Sequence, residues 1–305
     1  MPRLSVLMPA YNSESTVEKA VRSTLRALPA DAELRVMDDG STDGTLRVLE
    51  PIAFAEKRLV VTAAPQNGGV ARTLNSLLGA SDSELVARMD ADDVVLPWRF
   101  AVSSAVIERT RTDAVFMSVV HNDAGRLRPM APLPLGPRGV RAALLVGNPV
   151  AHSTMMARRS ALDAVSGYRE VPSEDYDLWM RLSSDGYALR RTGTPGIVLR
   201  RHENQVTARP DFFAASAGDA ATAHSHAELS RQVLRGAPRV FHLLHRPTAT
   251  APEAAEVAEF LRHVRAHAEG LPPLDRALVR RYVRIAEPVR HGIPVLAGGV
   301  THDGR

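Results

Sequence analysis

The chain has 305 residues, an apolar fraction of 45% and a charged fraction of 24%, an ordinary globular composition that suggests neither a disordered nor a membrane-embedded protein. Its net charge of +4 is carried by 36 arginines against only Lys19 and Lys57, and with 5% aromatic residues there is no basic stretch interleaved with rings, so nucleic acid is a poor partner and the skew reads as codon bias. The absence of cysteine removes disulfides, thiolate metal sites and thiol nucleophiles together.

Single cores stop growing at about 250–300 residues, so one large α/β domain with an appendage is expected. Leu4 to Met8 is a short apolar run closed by Pro9. Ser15-Thr16-Val17-Glu18 then has the form of a capping box, and Val17, Ala20, Val21, Thr24, Leu25 and Leu28 make one helical stripe that Pro29 ends. The pattern recurs with strands at Leu34 to Met37, Leu59 to Thr62 and Leu85 to Met89, and helices at Asp43 to Glu56 and Val70 to Ala80. Four short apolar strands alternating with helices predict a parallel sheet covered on both faces.

Further along, a helix is expected from Pro97 to about Arg109, a strand at Ala114 to Val120 and a Pro-rich loop at Asn122 to Pro137. Helical signals cover Arg138 to Leu145 and Glu174 to Ser184, with a strand-like stretch at Val150 to Ala157 between them. Beyond Ala208 the composition shifts to Ala, Arg and His, with helical periodicity at Ala217 to Leu234, Pro252 to Ala268 and Asp275 to Val289. The expected organisation is one α/β unit over 1–207, then a helical appendage over 208–305.

Ligands of such sheets bind beyond the carboxyl ends of the strands. Those ends carry Pro9 to Asn12, Asp38 to Asp43, Pro65 to Gly69 and Asp90 to Asp93. Asp90, Asp92 and Asp93 crowd three carboxylates into four residues, which a hard divalent cation would relieve; on the residues alone, an acidic turn complementing a helix dipole is an equal reading. Asp38-Asp39-Gly40-Ser41-Thr42-Asp43-Gly44 fits neither the dinucleotide fingerprint nor a phosphate loop ending in Gly-Lys-Ser/Thr, and a plain helix-capping turn is its other reading. The acids in Ser173-Glu174-Asp175-Tyr176-Asp177 are ordinary at a helix start.

Taken together, Leu4-Ser5-Val6-Leu7-Met8-Pro9-Ala10-Tyr11-Asn12, Met37-Asp38-Asp39-Gly40-Ser41-Thr42-Asp43-Gly44-Thr45, Gln66-Asn67-Gly68-Gly69-Val70-Ala71-Arg72, Arg88-Met89-Asp90-Ala91-Asp92-Asp93, Gly167-Tyr168-Arg169 and Glu174-Asp175-Tyr176-Asp177-Leu178-Trp179 resemble the successive motifs of glycosyltransferase family 2, in order and spacing, over about residues 3 to 207. The resemblance implies that 1–207 is a catalytic domain of GT-A fold, a Rossmann-like nucleotide-diphospho-sugar transferase half (about 1–110) that binds the nucleotide, fused to an acceptor half (111–207). It implies Pro9, Tyr11, Asp39 and Arg72 around the donor base, Asp90 at the ribose or donor, and Asp92 as the acid that holds Mn²⁺ or Mg²⁺ on the diphosphate. Asp175 matches the general base of an inverting transfer. Arg200-Arg201-His202-Glu203-Asn204-Gln205-Val206-Thr207 resembles the family's closing segment, with His202 joining the metal shell or lying as a surface histidine. His152 falls in a segment near the acceptor, with a core or capping role as its other reading.

The implied reaction moves a sugar from a nucleotide-diphosphate donor, UDP being the expected nucleotide, to a saccharide or glycolipid acceptor in cell-surface polymer synthesis. A sugar nucleotidylyltransferase would show a Gly-x-Gly-x-Arg-x-x-Pro loop where Pro9-Ala10-Tyr11-Asn12 stands. An inactive scaffold or sugar-binding relative would have lost an acidic motif, yet Asp39, Asp92 and Asp175 are in place. Processive synthesis is not expected without a Gln-x-x-Arg-Trp motif or a membrane-spanning segment. With no leader pattern and no long apolar run, the expected location is cytoplasmic. In the last helix Arg276, Arg280, Arg281 and Arg284 oppose Leu278, Val279, Tyr282, Val283 and Ile285, a pattern that suits packing with a solvated face or a peripheral contact with the inner face of an anionic membrane.

Overall fold

Short apolar runs separated by amphipathic stretches build strands and helices in turn, and the computed structural model describes them over residues 2–123, 125–200, 212–237, 239–244 and 250–286. In chain order the elements are β1 (Leu4–Ala10), α1 (Val17–Ala27), β2 (Ala32–Asp38), α2 (Thr45–Ala55), β3 (Leu59–Ala63), α3 (Val70–Gly79), β4 (Leu85–Arg88), β5 (Val94–Val95), α4 (Arg99–Thr110), β6 (Ala114–Asp123), β7 (Arg126–Pro129) and α5 (Pro137–Ala143). A 3₁₀ turn (His152–Thr154), β8 (Met156–Arg158), α6 (Arg159–Ala164), α7 (Glu174–Ser184) and β9 (Leu189–Arg200) follow. The last helices are α8 (Phe212–Gly218), α9 (Ala220–Val233), α10 (Phe241–Leu244), α11 (Ala251–Ala268) and α12 (Pro273–Ala286).

Two compact units result, one of residues 2–133, 152–170 and 191–200, the other of 134–151, 171–190 and helices α8 to α12. The first holds a mixed sheet in the order β3-β2-β1-β4-β8-β6-β9-β5, with β7 paired to β6. β1 runs parallel to β2 and β4, and β2 to β3, with Leu4 opposite both Ala32 and Leu85. β8 then turns the sheet antiparallel against β4 and β6. Leu4, Val6, Leu7 and Met8 are all buried, as a strand covered on both faces requires. The α1 stripe of Val17, Ala20, Val21, Thr24 and Leu25 is buried as its spacing predicts.

Several local expectations are corrected. The capping box does not form: α1 starts at Val17 with no side-chain cap, the amides of Thr16 and Val17 donate to Ser13 O, and Glu18 pairs with Arg22 instead. The Asn122–Pro137 loop contains β7, which pairs with the end of β6 as a hairpin. Within Val150–Ala157, His152–Thr154 form the 3₁₀ turn and only Met156 onward is strand.

The second unit is centred on α7, whose Leu178, Trp179, Met180 and Leu182 are fully buried. Asp177 is closed off by Arg181 Nε at 2.7 Å and Ser225 Oγ at 2.7 Å, which fastens α7 to α9. His226 Nε2 donates to Leu145 O at 2.9 Å between the rings of Phe241 and Phe260, and burial pulls its pKa down to about 4, keeping it neutral. These contacts group 134–151 and α7 with the C-terminal helices, so the compact units divide differently from the expected boundary at residue 207. On α12, Leu278, Val279 and Val283 are buried where the helix packs on α5 and α11, while Arg280 pairs with Glu269. Among the described residues no helix is long and apolar enough to cross a membrane.

Candidate active site

Polar loops at the carboxyl ends of β1, β2 and β3 are tied together by short-range hydrogen bonds. Asn12, at φ 47° in the left-handed region that asparagine tolerates, donates its amide to Ser41 Oγ and accepts from the amide of Thr42, both at 2.9 Å. Asp43 accepts from the amide and hydroxyl of Thr45 and the amide of Glu14; burial acts to raise its pKa, but these bonds hold it below the ordinary aspartate value. Buried Asp39 accepts from the amides of Gly68 and Gly69, each at 2.9 Å. It therefore fixes the loop that leads into α3, and each oxygen retains a second lone pair.

Gly40 sits at φ 70°, and a Cβ there would lie 2.6 Å from the backbone carbon of Gln66. Both facts forbid a side chain. Gly40→Ala is expected to cost about 1–3 kcal/mol by displacing the 66–69 loop, which thermal unfolding measures. Pro9 lies in β1 opposite Met37, and the Tyr11 ring is 47% exposed, offering an open face for stacking. Arg72, in the first turn of α3, pairs with Glu170 at 2.8 Å in an exposed ion pair. Such a pair contributes little, so an anionic ligand can compete for the guanidinium.

The acidic turn follows β4 beside β1, with carboxylate oxygens of Asp90, Asp92 and Asp93 within 4.8 Å of one another. Asp90 pairs with Arg88, and Asp93, 2% exposed, accepts the amide of Arg200 at 3.0 Å. Burial, then the charges of Asp90 and Asp92, push the Asp93 carboxyl well above the usual carboxylate range. Asp90 is raised too, by burial opposed by Arg88 and reinforced by Asp92. Three oxygen donors whose charges destabilise one another fit a hard divalent cation such as Mg²⁺ or Mn²⁺.

Beneath this turn lies a supporting layer in which sequence reasoning missed Arg99 and Asn75. Arg99 is 1% exposed, with Nη2 donating to Arg88 O at 2.5 Å and Nη1 on Met89 Sδ at 3.1 Å. Burial lowers its pKa to about 9 against the opposing charge of Asp93. His152 Nε2 lies 2.9 Å from the Tyr168 hydroxyl, and loss of water together with the Arg88 charge holds its pKa well below the histidine range, leaving a neutral ring. Asn75 fixes Tyr168 by pairing with both its amide and its carbonyl, at 2.9 and 2.8 Å. For Arg99 and Asn75 an arginine in the apolar strand β4 was the one signal available, whereas His152 and Tyr168 already stood in segments the sequence singled out.

The first unit thus holds Pro9, Tyr11, Asp39, Arg72, Asp90 and Asp92. Asp175 belongs to the second unit, half-buried in the first turn of α7, where Oδ2 accepts from Asn148 Nδ2 at 2.8 Å and Oδ1 from the amide of Tyr176 at 2.7 Å. His202 lies outside the described residues.

A sequence profile described as glycosyl transferase family 2 matches residues 5–166. EpsE of Bacillus subtilis (strain 168), provisionally assigned as a glycosyltransferase, is 34% identical over 197 residues, 61% of this chain and 68% of EpsE. The Escherichia coli UDP-Glc:alpha-D-GlcNAc-diphosphoundecaprenol beta-1,3-glucosyltransferase WfaP is 26% identical over 209 residues, 68% of this chain and 81% of WfaP. Residues 1–349 of S. aureus TarS in complex with UDP-GlcNAc superpose with TM-score 0.63 at 20% identity, over 96% of this chain and 93% of that one. The Pyrobaculum calidifontis mannosyltransferase PcManGT in complex with GDP-Man and Mn²⁺ gives TM-score 0.55 at 20% identity, over 95% and 82%. The fold is the GT-A fold of these enzymes, and with the profile covering more than half the chain and EpsE matched over two thirds of its length, this protein is a glycosyltransferase of family 2.

Proposed function

We propose that the protein transfers a sugar from a nucleotide-diphosphate donor, UDP being the expected nucleotide, to a hydroxyl of a saccharide or glycolipid acceptor, with inversion at the anomeric carbon. The observation that carries this reading is the crowding of Asp90, Asp92 and Asp93 within 4.8 Å beyond β4, on the same sheet as the Asn12, Ser41 and Asp39 loops. Solved relatives of this fold hold UDP-GlcNAc, or GDP-Man with Mn²⁺, and WfaP is named for a UDP-sugar and a lipid diphosphate acceptor.

In this reading Pro9, Tyr11, Asp39 and Arg72 receive the nucleotide base, with Asp39 acting also through the loop it holds. Asp92, with its acidic neighbours Asp90 and Asp93, would hold Mn²⁺ or Mg²⁺, which supplies Lewis-acid stabilisation of the departing diphosphate. His202 is a further candidate for that metal shell. Asp175 takes the proton of the acceptor hydroxyl as the acceptor oxygen bonds to the anomeric carbon and the bond to the diphosphate breaks. A carboxylate in the first turn of a helix and hydrogen-bonded by an amide is favoured in its ionised, proton-accepting form. Any membrane contact through α12 would rest on Arg281 and Arg284 with the exposed Ile285, because Leu278, Val279 and Val283 are buried.

Incubation with UDP-Glc, UDP-GlcNAc, GDP-Man and a dTDP-sugar in Mn²⁺, followed by proton NMR of the released or transferred sugar, tests the reading. The α-linked donor that reacts should give the β-configured product first. An α product at early times would rule out inversion, and turnover of none of these donors would count against nucleotide-sugar transfer.

A further inference from the structure

We propose that Asn148 is the positioning residue for Asp175: its amide both aims the carboxylate and keeps it ionised. The inference rests on the reading of Asp175 as the base, and it deepens that reading.

Asn148 lies at the end of the segment that follows α5 and directly precedes buried Pro149. A following proline restricts the Asn148 backbone to extended conformations. The amide orientation is fixed by its surroundings: Oδ1 accepts from the amide of Val150 at 3.3 Å, which turns Nδ2 toward Asp175 Oδ2 at 2.8 Å. A flipped amide would set oxygen against carboxylate. The same segment is fastened to α7 a second time, one residue along the helix, by the Tyr176 hydroxyl donating to Leu144 O. Asp175 is thus held from the segment side by Nδ2 and from its own helix by the amide of Tyr176.

An N–H donor bonds the charged carboxylate more strongly than the neutral acid, so it lowers the pKa of the group it touches. Loss of one such bond moves the titration by about one pH unit. On α7 the neighbouring titratable groups are Glu174, Tyr176, whose hydroxyl donates to Leu144 O, and Asp177, held by Arg181 and Ser225. α9 packs against α7 and carries His224, His226, Glu228 and Arg231, with His226 bonded to Leu145 O and Glu228 to Arg231 and Gln232. The stretch 144–150 carries no titratable side chain.

The test is carboxyl ¹³C NMR of full-length protein labelled at aspartate, with Asp175→Asn assigning the resonance. Asn148→Ala should raise the Asp175 midpoint by about one pH unit. Asn148→Asp keeps the oxygen for Val150 and so guards against a folding defect; it should raise the midpoint further, because it sets a like charge beside the carboxylate. In hydrolysis of UDP-Glc or UDP-GlcNAc, whichever turns over, both variants should shift the acid limb of kcat to higher pH and leave the donor KM unchanged. A role in packing alone would lower activity without moving that limb. An unchanged midpoint in both variants overturns the positioning role even if Asp175→Asn abolishes turnover. Full turnover by Asp175→Asn would instead overturn the base role, whatever the titration gives.

Discussion

Asp175→Asn is expected to lower kcat by about 10²- to 10⁴-fold, the usual contribution of a positioned base, with donor affinity and thermal stability nearly unchanged. The amide is isosteric with the carboxylate and its one oxygen still accepts from Asn148 Nδ2 at 2.8 Å, while the bond from the Tyr176 amide is given up at a cost of about 1 kcal/mol. What is lost is the ability to accept a proton, together with a favourable charge at the α7 N-terminus worth about 0.3–1 kcal/mol. Single-turnover kinetics with saturating donor, compared with donor titrations, separates the two effects. A matched fall in affinity would place Asp175 in donor binding rather than in proton transfer.

Asp92→Ala is expected to act on the other side of that division. Removing one oxygen ligand of a charge-stabilising cation costs several kcal/mol, so metal-dependent donor binding should weaken by about 10²- to 10³-fold. Without metal the same change should leave thermal stability equal or slightly higher. Asp92 raises the Asp93 and Asp90 carboxyls by repulsion, and its removal relieves buried like charges. Thermal scans with and without Mn²⁺ check the opposite signs: the ion should stabilise the native chain and do little for the variant.

Much of the first unit was legible because its periodicities are local. β1 through β4 read as apolar runs, and the α1 stripe read as a buried face, since each depends only on neighbours within a few residues. Elements that depend on distant partners did not read. β5 is two residues long and exists only by pairing with β9, while β9, Leu189–Arg200, is rich in arginine and threonine and has no alternating signature. β7 is fully exposed and includes a proline, so nothing apolar marks it.

The same distinction governs the site. The acidic turn at Asp90–Asp93 was visible as composition. Its support by Arg99 and by Ser153 beside Asp93 comes from other elements and left little trace, whereas Arg88, paired with Asp90, stood in the motif itself. Asp177 read as one more acid at a helix start, yet it is buried because Ser225, 48 residues away, and Arg181 meet it. Asp39 was expected at the donor base. Its observed bonds to Gly68 and Gly69 add a role in loop shape that spacing alone could not reveal.

The central claim is that this enzyme binds a nucleoside diphosphate through a metal held at the Asp90–Asp93 turn. Calorimetric titration of UDP, and then GDP, into the native protein with Mn²⁺ and again with EDTA tests it most directly. One nucleotide should bind in Mn²⁺, with affinity falling by about 10²- to 10³-fold in EDTA and by a similar factor in Asp92→Ala with the metal present. Equal affinity with Mn²⁺ and with EDTA, or undiminished binding by Asp92→Ala, would contradict it.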